Sequence, residues 1–325
     1  MTAELKVGVI GCGGHAQSHF AMIKAEPRLK LIAIAEIDET RRAEATAKYQ
    51  PEVAFADYRT MLDKTQLDLV YVVTLAGHLL PIVQECLGRN LHTSIEKAPG
   101  YSAAETRQMV AAAHQSKGKA IVSFNRRYIP EILAVRRLAQ ERGGAVQVAA
   151  NYHKPASGMV PADRQDVVPP ELTSDAIHHV DLIRWLTGRT QAEARTAREV
   201  YAHTWRGVGV PAPHHNAVIK FDDHIHGVMM SHFGVGYRIQ SAELHAKDMS
   251  AYLDLTSKPK VTLYLDSKLV EAPLDLAPVG GVGFNETQHF VDCILHDTEP
   301  WSTIDDAVKT MELCEAIVAG HQGKL

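Results

Sequence analysis

Leu5-Lys6-Val7-Gly8-Val9-Ile10-Gly11-Cys12-Gly13-Gly14-His15-Ala16 is the stretch that decides the fold. Six residues that read as a buried strand run directly into GxGxxA, and a helical pattern follows near 15–25. Gly11 permits a tight turn, Gly13 lets backbone approach a pyrophosphate, and Ala16 allows close packing of helix on strand. A helix N-terminus just past Gly14 and His15 offers N–H groups and a positive dipole end to phosphates. Glu36, 25 positions after Gly11, closes the next apolar run. A carboxylate there accepts hydrogen bonds from ribose hydroxyls and repels a 2′-phosphate, so the expected dinucleotide is NAD in preference to NADP. Arg41 and Arg42 follow closely and weaken that discrimination.

Outward from this motif, short apolar runs at Leu5–Ile10, Leu29–Ile37, Leu69–Val73, Leu91–Ile95 and Ala120–Phe124 read as strands. Helical patterns lie between them near 15–25, 40–48, 79–89 and 102–116. Such alternation implies a doubly wound parallel sheet, with strands apolar enough to be buried on both faces. From Asn125 the pattern changes to a helix over 131–141, a strand over 145–153, a loop rich in Pro, Ala and Gly, and a strong helix over 174–187. Residues 191–272 read mostly as strands, and helices near 285–296 and 303–318 close the chain. The expectation is an α/β chain of two domains: a Rossmann domain over 1–124, and a substrate-binding and oligomerisation domain over 125–325 built on a large, mostly antiparallel open sheet.

Composition narrows the function. A chain of 325 residues exceeds one comfortable core, and 46% hydrophobic with 22% charged residues is ordinary for a globular protein. A net charge of -4 gives no footprint for nucleic acid. No signal peptide and no run of 18 apolar residues is seen, so no membrane partner is expected. Four scattered cysteines without CxxC suit a reducing cytoplasm. His214-His215, His224 and His226 lack the company of Cys or carboxylates at zinc spacing, and no metal is expected.

Two further segments carry chemistry. The strand Leu91–Ile95 ends in Glu96-Lys97-Ala98-Pro99-Gly100. Ligands of open α/β sheets bind outside the carboxyl ends of strands, so Lys97 stands where a proton-exchanging amine is useful. In Ser174-Asp175-Ala176-Ile177-His178-His179-Val180-Asp181, helical spacing sets Ser174, His178 and Asp181 on one face with Asp175 beside it. His179 lies about 100° from His178, so one of the two points elsewhere.

These motifs, with His78 lying 18 residues before Glu96, Asn125-Arg126-Arg127-Tyr128-Ile129-Pro130 and His178 to Gly188, resemble the Gfo/Idh/MocA oxidoreductases over essentially the whole chain. The resemblance implies hydride transfer at a secondary alcohol or ketone of a sugar, cyclitol or related polyol. It makes Lys97 the catalytic lysine and His178 the active-site histidine, with Asp175 assisting. It implies that Thr74, Leu75, His78, Glu96 and Asn125 join the glycine loop around the cofactor. Asn125 and Arg127 are expected near nicotinamide and substrate at the junction between domains, with Tyr152 and His153 as weaker substrate contacts. Three departures stand out: Ala98 in place of proline, Ser174 in place of an aspartate, and Thr74-Leu75 in place of Pro-Asn. A homodimer or homotetramer through the C-terminal sheet is expected. Two alternatives stay open: a glycosidase using transient oxidation by NAD, and a sugar-sensing regulator on the same fold.

Overall fold

The computed structural model describes residues 4–207, 212–222 and 224–325. The chain divides into two units, residues 1–123 with 285–307, and residues 124–284 with 308–325.

In the first unit, strands β1 (Leu5–Ile10), β2 (Leu29–Ala35), β3 (Val53–Phe55), β4 (Leu69–Val72), β5 (His92–Ile95) and β6 (Ala120–Val122) alternate with helices α1 (Ala16–Ala25), α2 (Glu39–Tyr49), α3 (Tyr58–Lys64), α4 (Ala76–Gly88) and α5 (Ala103–Gln115). Every strand pairing is parallel, in the order β3-β2-β1-β4-β5-β6. Chain direction through the sheet reverses between β1 and β4, which places a ligand crevice beyond their carboxyl ends. Burial explains the composition: Val7, Val9, Leu69, Val70 and Val72 are all 0% exposed. Helix starts are fixed by side-chain caps, with Asp38 accepting from Arg41 N–H, Asp57 from Thr60 N–H and Ser102 from Glu105 N–H.

Helix α8 (Glu286–Leu295) also belongs to this unit, whereas the sequence places it in the second domain. The reason is packing and polar contact: Phe290 and Val291 are buried, Tyr71 Oη bonds Thr287 Oγ1 at 3.1 Å, and Arg28 bridges Asp292 at 2.5 Å.

In the second unit, α6 (Pro130–Glu141) precedes β7 (Ala145–Lys154), and a single π-turn over Leu172–Ala176 leads into α7 (Ile177–Leu186). Strands β8 (Glu199–Arg206), β9 (Pro213–Lys220), β10 (His226–Phe233), β11 (Ile239–Ala246), β12 (Met249–Asp254), β13 (Lys260–Leu265) and β14 (Lys268–Leu269) follow. Helix α9 (Ile304–Val318) and β15 (Gln322–Lys324) end the chain. The nine strands are ordered β14-β13-β12-β11-β7-β10-β9-β8-β15, and all pair antiparallel except β10 with β7.

Strict alternation gives this sheet two faces. Val148, Ala150, Tyr152, Met229, Phe233 and Leu244 are buried on the face that α7 covers. Tyr201, Val218, Tyr252 and Tyr264 stand on the other, each between 39% and 47% exposed. Nine of the ten residues of α7 are buried; of the polar ones, Asp181 and Arg184 are paired, whereas neither ring nitrogen of His179 has a hydrogen-bond partner. Among the described residues no helix is long and apolar enough to cross a membrane.

Candidate functional site

The glycine loop is built by close approach. Gly11 has φ +91°, and a Cβ there would lie 2.2 Å from the Val73 carbonyl oxygen, so only glycine fits between the ends of β1 and β4. Gly13 and Gly14 differ: an added Cβ meets nothing within 4 Å at either. The loop is therefore tight at its root and open at its tip, which fits a bound pyrophosphate. His15 is exposed at the first turn of α1, and Ala16 is fully buried beneath it.

Glu36 stands just past β2 and is 7% exposed. Its carboxylate accepts the Cys12 N–H at 2.7 Å and the Asp38 N–H at 3.0 Å, which pins a negative charge against the glycine loop. Arg41 approaches one oxygen at 3.6 Å, whereas Arg42 donates instead to the Glu36 carbonyl. At the end of β4, Thr74 is half-buried and Leu75 exposed, and exposed His78 lies in the first turn of α4.

Lys97 is half-buried at the carboxyl end of β5, as the sheet rule requires. Ala98 is buried and joined to it by a cis peptide bond. Behind Lys97 lies a cluster that sequence reasoning missed. Glu96, buried, meets His19 Nε2 at 2.9 Å, and His19 Nδ1 is 3.7 Å from Glu286, whose carboxylate accepts from Ser123 Oγ at 2.8 Å. The electrostatics separate the two acids. Burial works against the Glu96 carboxylate, but His19 and the Lys97 charge hold its pKa below the usual range. Burial wins at Glu286, whose pKa is raised. His19 loses by burial but gains more from Glu96 and Glu286, and its pKa is raised. The two acids are thus pushed in opposite directions, Glu96 towards its carboxylate by His19 and Lys97, and Glu286 away from it by burial.

In the second unit, the π-turn changes the expected helical spacing. Ser174 and Asp175 lie in that turn, outside the α-helical register of α7, and both are half-buried. Asp175 is held by β7: Tyr152 Oη donates to Oδ1 at 2.5 Å, and Lys154 Nζ bonds Oδ2. Of the histidine pair, His178 is half-buried, and His179 is completely buried with its ring edge-on to Tyr152. Desolvation holds His179 well below the usual imidazole pKa, which makes it a neutral core residue.

Three expectations need correction. Asp181 does not share a working face with His178. It is 1% exposed and takes the Arg127 guanidinium at 2.8 and 2.5 Å. Arg127, expected near the substrate, is for the same reason a core residue, fully buried between Phe124 and Trp185. Its neighbour Asn125 opens the 3-10 turn Asn125–Tyr128 and is exposed. His153 cannot join Tyr152 at one site, because consecutive strand residues face opposite ways. Tyr152 lies on the α7 side, 1% exposed, and His153 packs on the other face against His232. There Trp205 and His214 extend the aromatic row. Among the described residues no group of three or more His, Cys, Asp or Glu is placed to hold a metal ion.

Residues 5–124 match the model of the GFO_IDH_MocA family, described as an oxidoreductase family with an NAD-binding Rossmann fold. The chain is 26% identical over 140 residues to an uncharacterized oxidoreductase, YrbE, of Bacillus subtilis, covering 43% of this chain and 41% of that protein. It is 27% identical over 213 residues to inositol 2-dehydrogenase 2 of Saccharopolyspora erythraea, covering 64% and 60%. The matched stretch thus spans less than two thirds of either relative. Among solved structures, levoglucosan dehydrogenase in complex with NADH has the same fold, with a TM-score of 0.84 over 98% of this chain and 96% of that one at 18% identity.

Proposed function

From the match of residues 5–124 to the Gfo/Idh/MocA oxidoreductase family, we propose an NAD(P)-dependent dehydrogenase acting on a secondary alcohol or ketone of a sugar, cyclitol or related polyol. The observation that carries this reading is Lys97, at the carboxyl end of β5 in the same unit as the open-tipped glycine loop and backed by the Glu96–His19 pair.

The loop around Gly11, Gly13 and Gly14 holds the pyrophosphate, and Glu36 receives the adenosine ribose. A carboxylate already fixed by two backbone N–H groups repels a 2′-phosphate, so NAD is the preferred cofactor. Bound nicotinamide supplies the hydride acceptor. Lys97 takes the hydroxyl proton while the carbon loses hydride; in the reverse direction it returns that proton to the oxygen. His178 assists that transfer, and Asp175, clamped by Tyr152 and Lys154, positions the turn from which His178 rises. Thr74, Leu75, His78 and Asn125 line the cofactor. The exposed face of the large sheet carries Tyr201 with Val218 towards one edge and Tyr252 with Tyr264 towards the other, a face suited to a second copy of this chain.

The test is Lys97→Met in a screen of polyols, aldoses and sugar acids followed through nicotinamide absorbance. Turnover falls by about 10²–10⁴-fold while NAD affinity holds, because the loop and Glu36 are untouched. Unchanged hydride-transfer rates in that variant would remove Lys97 from the mechanism.

A further inference from the structure

One corner of the second unit carries more positive than negative charge. Strands β7 and β11 pair antiparallel with Tyr152 opposite Gln240 and His153 opposite Ile239. By alternation Tyr152, Lys154 and Gln240 share the face covered by α7, and Arg238, one step before β11, falls on the same side. Arg126 reaches this corner from the 3-10 turn and donates through Nη2 to Gln240 Oε1. Asp175 completes the set, with both oxygens already taken by Tyr152 and Lys154.

The count of charges is uneven. Lys154 bonds Asp175, whose charge also acts on Arg126, but no carboxylate lies within ion-pair distance of Arg126 or Arg238 among the described residues. In the neighbouring loop, the Glu171 carboxylate accepts the Val160 N–H. Two buried donors also point to something missing from the chain's own set. Arg126 Nε has no hydrogen-bond partner, and neither has the amide nitrogen of Gln240, a residue 1% exposed. Leaving such donors unsatisfied is costly, and a bound water, ion or ligand is what completes the bonding of such groups. Burial drives the Arg126 pKa down to about 10, with the Arg238 charge adding in the same direction. Arg238 is exposed and Arg126 half-buried, so an anion arriving from solvent meets one and then the other.

We propose that this corner is an oxyanion subsite, and that the substrate is a sugar or polyol bearing a carboxylate or a phosphate recognised by Arg126, Arg238 and the Gln240 amide. Planar guanidinium groups take two oxygens of such a group at once, which neutral hydroxyls cannot match. The inference rests on the dehydrogenase reading above, because it assigns this corner to the substrate.

The experiment uses matched pairs titrated calorimetrically into the NADH complex: gluconate against sorbitol, galactonate against galactitol, and glucose 6-phosphate against glucose. The oxyanion member of at least one pair binds at least about tenfold more tightly. Which pairs show the effect separates carboxylate from phosphate. In R126Q and in R238Q that ratio falls towards one, with thermal unfolding followed to show that each variant is folded. Equal or tighter binding of every neutral member overturns the subsite, and so does a ratio that survives both substitutions. Oxidation of neutral polyols with no anion preference keeps the dehydrogenase and removes the subsite. Arginine-dependent anion binding without hydride transfer to any pair does the reverse.

Discussion

Arg126 and Arg127 are neighbours in one 3-10 turn, yet they sit in opposite kinds of environment. Arg127 is 0% exposed and meets Asp181 through two parallel bonds at 2.8 and 2.5 Å. Thr310 Oγ1 adds a bond to the same carboxylate at 2.9 Å, and Arg184 Nη1 bonds Thr310 at 2.5 Å. Trp185 lies against Arg127 on one side, with Arg136 3.6 Å over its ring. Arg126 has one amide oxygen and a nitrogen without a partner. The first is a closed knot in which the guanidinium and the carboxylate are bonded to each other within the chain. The second is open. Closure is what marks a buried arginine as structural, and the lack of it marks one available to a ligand.

The largest effect that tests this contrast is on the closed side. Arg127→Gln strands the Asp181 charge in the core and costs about 3–5 kcal/mol, read from denaturant unfolding. A loss near the size of a surface substitution would show that the knot is not closed. Replacing both partners, Arg127→Met with Asp181→Leu, recovers only part of that loss, because it also removes the carboxylate that Thr310 and Arg184 face.

An intermediate case lies in the first unit, where one imidazole, His19, is buried with two carboxyl groups, Glu96 and Glu286. The raised pKa of His19 means that its contribution is fully present below its unfolded value of 6.5 and is lost as pH rises through the folded value. The lowered pKa of Glu96 works at the other end: its contribution is present above 4.5 and is lost as pH falls through the folded value. His19→Gln keeps a donor for Glu96 without the charge, costing about 1–2 kcal/mol below pH 6.5. Melting curves against pH then flatten on the alkaline side; an unaltered alkaline slope would show that His19 is not the titrating group.

The smallest effect belongs to Arg126. Arg126→Gln changes stability by no more than about 0.5–1 kcal/mol, because few bonds are lost. A loss matching that of Arg127→Gln would turn Arg126 into a structural residue and end the contrast.

Much of the first unit was legible because its signals are local. Strand, glycine loop and Glu36 fall within Leu5 to Glu36, and β1 has the expected bounds, Leu5–Ile10. Strand β3 and helix α3 went unread because a three-residue edge strand is too short to show a period. The site behind Lys97 was invisible for another reason: His19 and Glu286 lie on α1 and α8, far apart in sequence. In the second unit, the polar residues of α7 suggested one catalytic face. The π-turn displaces Ser174 and Asp175 from it, and Arg127 claims Asp181. Which of two adjacent arginines is enclosed depends on a partner more than fifty positions away, and no local pattern reports that.

The return of residues 285–307 to the first unit also has a consequence for biosynthesis. When Ser123 leaves the ribosome, every strand of the first unit's sheet has been made, but α8 has not. Tyr71, His19 and Ser123 await partners, Thr287 and Glu286, encoded beyond the whole interval 124–284. At about 5–20 residues per second, the wait lasts roughly ten to thirty seconds. Throughout it, a nascent sheet complete in its strands carries an uncovered flank, and the period of greatest exposure to aggregation and proteolysis is set by the length of the inserted second unit.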